Sequence, residues 1–467
     1  MITTERPLWQ HWARVRPDAV ALRCEGQRLT WQEIEQQVSR LAAQLAAQGV
    51  TQGSVVALLG KNHHEMVLLY LASAQLGALT ALLMPQPQAA LEQKLATLTT
   101  PGQQHFIYWR QPDHSSPALP AGWRTLDISG QSNAEVHHTD AFSPENLASV
   151  IFTSGSSGNP KAVVHRHCQH YASAEGLLAS FGFDSQDCWL LSLPIYHVSG
   201  LAIVYRWLIA GACLQVGSGD LASDIQDVSH ASLVATQLKK LLDSKQSLSL
   251  THVLLGGGHI PISLANQAAE QGIATWLGYG LTEAASTVTA KPVDEQPGAG
   301  QLLAGRKLKL IGDRIYIGGD TLAAGYYRQG KVIPLSLDGW FDSKDLGRWH
   351  GDDLQILGRA DNQFISGGEN IHCEEIEAAL LRHPRVDQAM VIAVEDDQYG
   401  ARPVALIASQ EGINSHELSE FLLDKLEKFK HPDHYLAMPA LADSGGIKLS
   451  RSRLKQWLSR HSDFTVI

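Results

Sequence analysis

Nine residues from Thr153 to Lys161, Thr-Ser-Gly-Ser-Ser-Gly-Asn-Pro-Lys, bring hydroxyls, glycines and a lysine together. Thr153, Ser154, Ser156 and Ser157 can donate to phosphate oxygens, Gly155 and Gly158 let backbone N–H groups close on an anion, and Lys161 adds a positive charge. Residues of these types suit the holding of a polyphosphate. The spacing, Gly-x-x-Gly-x-x-Lys with Pro160 before the lysine, is not the Gly-x-x-x-x-Gly-Lys-Ser/Thr of the common nucleoside triphosphatases. A plain Ser/Gly surface loop is the competing reading.

Other groups downstream could complete such a site. The run Thr275-Trp-Leu-Gly-Tyr-Gly-Leu-Thr-Glu283 offers a ring to stack (Tyr279), a hydroxyl for phosphate (Thr282) and a hard carboxylate for Mg2+ (Glu283). Gly257 and Gly258 end another apolar run and suit a flat ring lying against backbone. Asp345 and Asp361, with Arg359 between them, are either turn formers or holders of ribose hydroxyls. His197 is a pocket wall or gate, or a hydrogen-bonded structural histidine. Arg206 stands alone among Ile203, Val204, Tyr205, Trp207, Leu208 and Ile209, so it snorkels, meets an internal acid, or faces a ligand's carboxylate. Lys448 sits on a glycine turn, Ser444-Gly-Gly-Ile-Lys448, where a lysine is ordinarily solvated.

The elements that must position these residues follow a βαβ rhythm. Leu147–Phe152, Val55–Leu59 and Ala78–Met84 read as buried strands, and the helix Glu65–Leu76 links the last two. Thr30-Trp-Gln-Glu33 has the form of a capping box that opens an amphipathic helix to Gln48, with Ile34, Val38, Leu41 and Leu45 on one face. A polar-faced helix is expected over His167–Ala179, and a long apolar one over Leu201–Ala210. Beyond Lys291 the texture turns to short strands, and the last hundred residues reset to strand and helix, including a helix from Ser415 to Phe429. The segment Thr99–Phe142, rich in Pro, Gln, His and Ser, shows only short strands, Phe106–Trp109 and Arg124–Asp127, and reads as a domain margin.

The 467 residues suffice for two or three domains, and 44% hydrophobic content can fill their cores. A net charge of −10 argues against a general nucleic-acid or anionic-membrane binder. Five scattered cysteines give no zinc framework and fit a reducing compartment, so a cytoplasmic protein with no membrane span is expected. The charge-free stretch Met66–Leu91 is broken by Gly77 and two prolines and reads as helix then strand.

Taken in order, the Thr153 loop, Tyr279 to Glu283, Asp345, Gly358-Arg359, Ser366-Gly-Gly-Glu-Asn370 and Gly446 to Lys448 resemble the adenylate-forming superfamily of acyl-CoA synthetases, adenylation domains and luciferases. The resemblance spans nearly the whole chain and is closest to a bacterial branch acting on an aromatic keto acid with two carboxylates. It implies an α/β fold, with a large N-terminal domain of stacked sheets and a β-rich subdomain over 1–360. A small mobile α+β domain over 361–467 would swing about Asp361. It also implies ATP, Mg2+ and CoA as reactants and cofactors, an aromatic carboxylic acid as partner, and a possible homo-oligomer.

By the same resemblance Thr153 to Lys161 would hold the β- and γ-phosphates, while Gly257, Gly258 and Tyr279 would line the adenine. Thr282 would bond the α-phosphate, Glu283 would ligate Mg2+, and Asp345 with Arg359 would hold the ribose. Lys448 would reach the forming bond and His197 would gate the acid pocket. Gly367 and Gly368 would meet the pantetheine, Arg206 would bind the second carboxylate, and Ser286 and Thr287 would contact the keto group. Ala162, Asn362 and Cys373 stand where relatives commonly have Gly, Asp and Pro, and none of these removes a catalytic atom. Two alternatives share most of these residues: an enzyme loading another aryl or fatty acid onto CoA or a carrier protein, and a catalytically silent ATP-binding relative.

Overall fold

The structure, a computed structural model, describes residues 6–110, 117–129, 141–154, 160–244, 246–256, 260–296, 298–409, 412, 414–439 and 451–467. Two large sheets organise the first three hundred residues. In the eight-stranded sheet Leu147–Ser154, Leu79–Leu83, Val55–Leu59, His105–Trp109 and Trp123–Thr125 run parallel, and Pro160–Arg166 pairs antiparallel with Leu147–Ser154. The nine-stranded sheet has a parallel centre that includes Cys188–Leu190, His230–Leu233, His252–Leu255 and Ala274–Leu281, and Ser286–Pro292 returns antiparallel beside the last of these. Continuous apolar strands such as Val55–Leu59 are buried at every position, as strands covered on both faces must be.

One core joins the two sheets. It holds the inward faces of the helices Trp31–Ala47, His64–Gln75 and Val198–Ala210. The capping box forms as the sequence predicts, since Thr30 Oγ1 accepts from the Glu33 N–H and Glu33 Oε2 from the Thr30 N–H. A separate cluster lies on the outer face of the eight-stranded sheet, under the helix Gln88–Leu98. A four-stranded antiparallel sheet, Arg306–Ile311, Arg314–Gly319, Phe341–His350 and Asp353–Arg359, is the expected β-rich subdomain. From Phe364 to Val466 two further clusters form around a three-stranded sheet.

Several expectations are corrected. The helix from Ser415 ends at Leu422 and not at Phe429, with a short 3-10 turn at Lys428–Lys430 beyond it. A helix Arg451–His461 closes the chain, buries Leu454 and Leu458, and carries no signal the sequence reading had used. The segment Thr99–Phe142 carries both expected short strands, but it is part of the large sheet, with His105–Trp109 inside it and Trp123–Thr125 at one of its edges. The helix His167–Leu178 does not turn its polar face to solvent: His167, His170 and Ser173 are all buried. They go inward because each meets a partner there. His170 bonds Ser149, His167 bonds the Tyr205 hydroxyl, and Ser173 Oγ donates to the carbonyl of Ala285 at 2.5 Å.

Candidate active site

The carboxyl end of Leu147–Ser154 carries Thr153, which pairs across the hairpin with Lys161. Ser154 pairs with Pro160, so the loop between them leaves directly from the strand ends. Gly155, Ser156, Ser157 and Gly158 lie outside the described residues, as do Gly257, Gly258 and Lys448. Lys161 Nζ stands 5.4 Å from the centroid of the Tyr326 ring, and the Tyr326 hydroxyl donates to Glu283 Oε1 at 3.1 Å. One aromatic ring therefore links the loop lysine to the carboxylate expected to meet a metal. Tyr326 was not singled out in the sequence, where a Tyr-Tyr pair in a short strand carries no chemical pattern.

The turn that presents Thr282 and Glu283 depends on a close approach of backbones. Ala274–Leu281 runs into a 3-10 turn, Thr282–Ala284, and Ala285 (φ 50°) and Ser286 (φ 93°) then reverse the chain in the left-handed region. A Cβ on Gly280 would lie 1.9 Å from the Ser286 carbonyl oxygen, so only glycine permits this packing. From the neighbouring hairpin, His165 Nε2–H donates to the Thr282 carbonyl at 2.9 Å. Full burial pushes the His165 imidazole down to about 4, so it holds that carbonyl as a neutral donor. His165 is a second residue that the sequence reading missed.

Tyr279, Asp345, Arg359 and Asp361 form one bonded chain. The Tyr279 hydroxyl donates to Asp345 Oδ2 at 2.5 Å, Arg359 Nη1 donates to Asp345 Oδ1 at 2.9 Å, and Arg359 Nε donates to Asp361 Oδ1 at 2.8 Å. Burial, and then the Asp345 carboxylate, hold the Tyr279 hydroxyl well above the ordinary phenol range. Burial acts to raise the Asp361 carboxyl, but the fork of Arg359 outweighs it and the net shift is downward. Aspartates that are only turn formers would not converge on one guanidinium, so the turn reading of this pair is superseded.

Arg206 takes neither of the two bland options open to it. It is 2% exposed, so it does not snorkel, and no carboxylate pairs with it among the described residues. Its guanidinium carbon lies 5.1 Å from the centroid of the Trp189 ring, and its Nη2 donates to Thr287 Oγ1 at 3.3 Å. Burial, and then repulsion from Arg306, push its pKa down to about 9. Arg306 itself is consumed by backbone, donating to the carbonyls of Thr287, Ser173 and Ala304, and so fixes the strand that carries Thr287. Ser286 and Thr287 are both buried beside it.

His197 is the N-cap of Val198–Ala210 and is half-buried. Burial, and then the charge of Lys94, lower its pKa. Asn62 clamps the turn ahead of it, donating to the carbonyls of Leu191 and Leu193 and accepting from the Ile195 N–H. Gly367 (φ 58°) and Gly368 (φ 91°) make the turn of the hairpin Gln363–Ser366 and Glu369–His372. Among the described residues, Glu25, His63 and His64 bring metal-ligand atoms close together. However, Arg110 Nη2 lies 2.6 Å from His63 Nε2, a fixed cation where an ion would have to sit.

The described candidate residues are joined through the Lys161–Tyr326–Glu283 and Tyr279–Asp345–Arg359 contacts, and the chain belongs to the AMP-binding enzyme family. The family model matches residues 9–327, and that of the AMP-binding enzyme C-terminal domain matches residues 375–445. The chain is 42% identical to 2-succinylbenzoate-CoA ligase of Escherichia coli over 98% of this chain and 100% of that protein. It is 40% identical to the enzyme of the same name from Haemophilus influenzae over 97% and 99%. Among solved structures it is similar to an Arg-to-Lys variant of Escherichia coli MenE with bound OSB-AMS, with a TM-score of 0.88, 39% identity and 99% of each chain covered. It is also similar to o-succinylbenzoate CoA synthetase from Bacillus subtilis in complex with ATP and magnesium ion, with a TM-score of 0.85, 27% identity, and 96% and 99% covered.

Proposed function

We propose that the protein joins 2-succinylbenzoate to CoA at the expense of ATP, through an acyl-adenylate, as a step of menaquinone biosynthesis. The observation that carries the choice of acid is Arg206. A buried guanidinium with no carboxylate partner among the described residues is costly, and a substrate with one carboxylate to activate and a second to recognise would supply one. The flat Trp189 ring beside it suits an aromatic acid.

In the first step the acid's carboxylate oxygen attacks the α-phosphorus and the bond to the pyrophosphate oxygen breaks. Thr282 bonds the α-phosphate, while Thr153, Ser154 and Lys161 hold the leaving end through the loop they flank. The donor set fits Mg2+, since Glu283 offers a hard carboxylate oxygen and the phosphates supply others. Bound there, the ion would neutralise charge that develops on the phosphates. Asp345 and Arg359 hold the ribose, and Tyr279 with Gly257 and Gly258 lines the adenine. Lys448 stabilises the charge on the transferred phosphate, a contribution of a few kcal/mol for such a group.

In the second step the CoA thiolate attacks the acyl carbonyl and AMP leaves. We assign 1–360 to nucleotide and acid binding and 361–467 to a domain that turns about Asp361. The turn withdraws Lys448 and brings Gly367 and Gly368 to the pantetheine, with His197 as gate. The five cysteines are free thiols, which fits a cytoplasmic setting. No helix among the described residues is long and apolar enough to cross a membrane.

The test is pyrophosphate release by purified protein with ATP, Mg2+ and a panel of aryl and fatty acids, with and without CoA. Release that depends on 2-succinylbenzoate, followed by thioester formation with free CoA, is expected. Selective release with a different acid, or transfer only to a carrier protein, overturns the proposal.

A further inference from the structure

The helix Gln88–Leu98 buries Leu91, Leu95 and Leu98 against the outer face of the eight-stranded sheet. Lys94 shares that stripe at helical spacing, three residues after Leu91 and four before Leu98. A lysine there runs its stem along apolar surface toward the sheet's edge. Its Nζ lies 5.3 Å from the centroid of Phe152, the residue before Thr153, and its charge depresses His197. It therefore lies where the phosphate loop leaves the strand.

Three elements surround this ammonium. Leu147–Ser154 brings the Phe152 ring, the N-cap of Val198–Ala210 brings the His197 imidazole, and Gly325–Arg328 brings Tyr327 into the same leucine cluster while Tyr326 turns to the opposite face beside Lys161 and Arg328 is exposed. No carboxylate is among them, and Lys94 makes no ion pair or hydrogen bond with the described residues. Burial alone pushes its pKa down to about 8. A desolvated cation held over a ring, with no counter-charge among the described residues, is matched by an anion that arrives. The anion brought to this strand end is polyphosphate.

We propose that Lys94 contacts the polyphosphate of ATP during adenylation, from the side of the sheet opposite the loop lysine Lys161. The inference rests on the functional reading above. It adds a residue outside every motif that carried that reading.

The experiment compares wild type, Lys94→Met and Lys94→Arg in the CoA-free half-reaction, read as acid-dependent pyrophosphate release. Methionine keeps the apolar stem, so the melting temperature should hold while the KM for ATP rises about fivefold or more, the scale of a partly screened charged hydrogen bond. In wild type, kcat/KM for ATP falls as pH rises through about 8, because the lysine loses its proton there. His197 is already neutral and both tyrosines stay protonated at that pH. Lys94→Arg, which keeps its charge, should restore the KM and remove that step. An unchanged KM for ATP in Lys94→Met, or a step that survives in Lys94→Arg, would overturn the assignment. If wild type forms no acyl-adenylate, it is the functional reading that fails. Calorimetric titration of Mg-ATP into wild type and Lys94→Met then decides Lys94 separately, with weaker binding by the variant expected and equal binding overturning the assignment.

Discussion

Arg206 makes opposite demands on stability and on recognition, and that opposition can be measured. Its guanidinium is buried over Trp189 and, among the described residues, has only a hydroxyl from Thr287 for a hydrogen-bond partner, so removing it relieves a desolvation cost. Arg206→Ala should therefore raise the KM for 2-succinylbenzoate by about 100-fold, the scale of losing a buried carboxylate pair, while the KM for ATP moves little. The same variant should melt no lower than wild type. Lys at this position keeps the charge without the planar fork and should fall between the two. Equal losses for both substrates, or a large drop in melting temperature, would make Arg206 a structural group. The sequence exposed this residue because a lone cation in an apolar helix is conspicuous. It could not expose Trp189, nor that Thr287, singled out there for a different contact, bonds Arg206, because both reach Arg206 only through tertiary packing.

At the scale of elements, the proposed site lies on strand ends held by short connections. The return from Ala274–Leu281 into Ser286–Pro292 shows how tightly, since the Gly280 position leaves no room for a methyl group beside the Ser286 carbonyl. Gly280→Ala should therefore push the Thr282–Glu283 turn out of place. The expected outcome is a loss of a few kcal/mol in a urea titration and a fall in kcat for adenylation of at least about tenfold. A variant that folds and turns over normally would show that the turn's position is not set here. Apolar strands, the capping box and the glycine-ended runs were legible because they rest on local patterns. The buried polar face of His167–Leu178 was not, because its partners Ser149, Tyr205 and Ala285 come from other elements. Lys94 stands at helical spacing on a leucine stripe, a pattern in the sequence that went unread because its meaning depends on what stands at the end of Leu147–Ser154.

Across the whole molecule, the core between the two sheets carries a consequence for acid stability. His165, His167 and His170 are fully buried in it, bonded to neutral groups, and their pKa values are held low by burial: about 4 for His165, about 3 for His167, and well below the ordinary value for His170. In the unfolded chain each would titrate near 6.5. Above that pH neither state binds the proton and the stabilisation is fully present. As pH falls below it the unfolded chain takes up protons that the folded core refuses, so stability declines until the folded values are reached. Each histidine contributes a slope of about 1.4 kcal/mol per pH unit, roughly 4 kcal/mol for three, against a total stability of about 5–15 kcal/mol. Urea midpoints measured between about pH 6.5 and 5, above the main carboxylate range, should fall steeply. Replacing His167 with Phe should remove about one third of that slope whatever it does to the absolute midpoint. A flat profile over this window would mean that these imidazoles reach water or a proton partner in the folded protein, and the neutral donor from His165 to Thr282 would have to be abandoned with it.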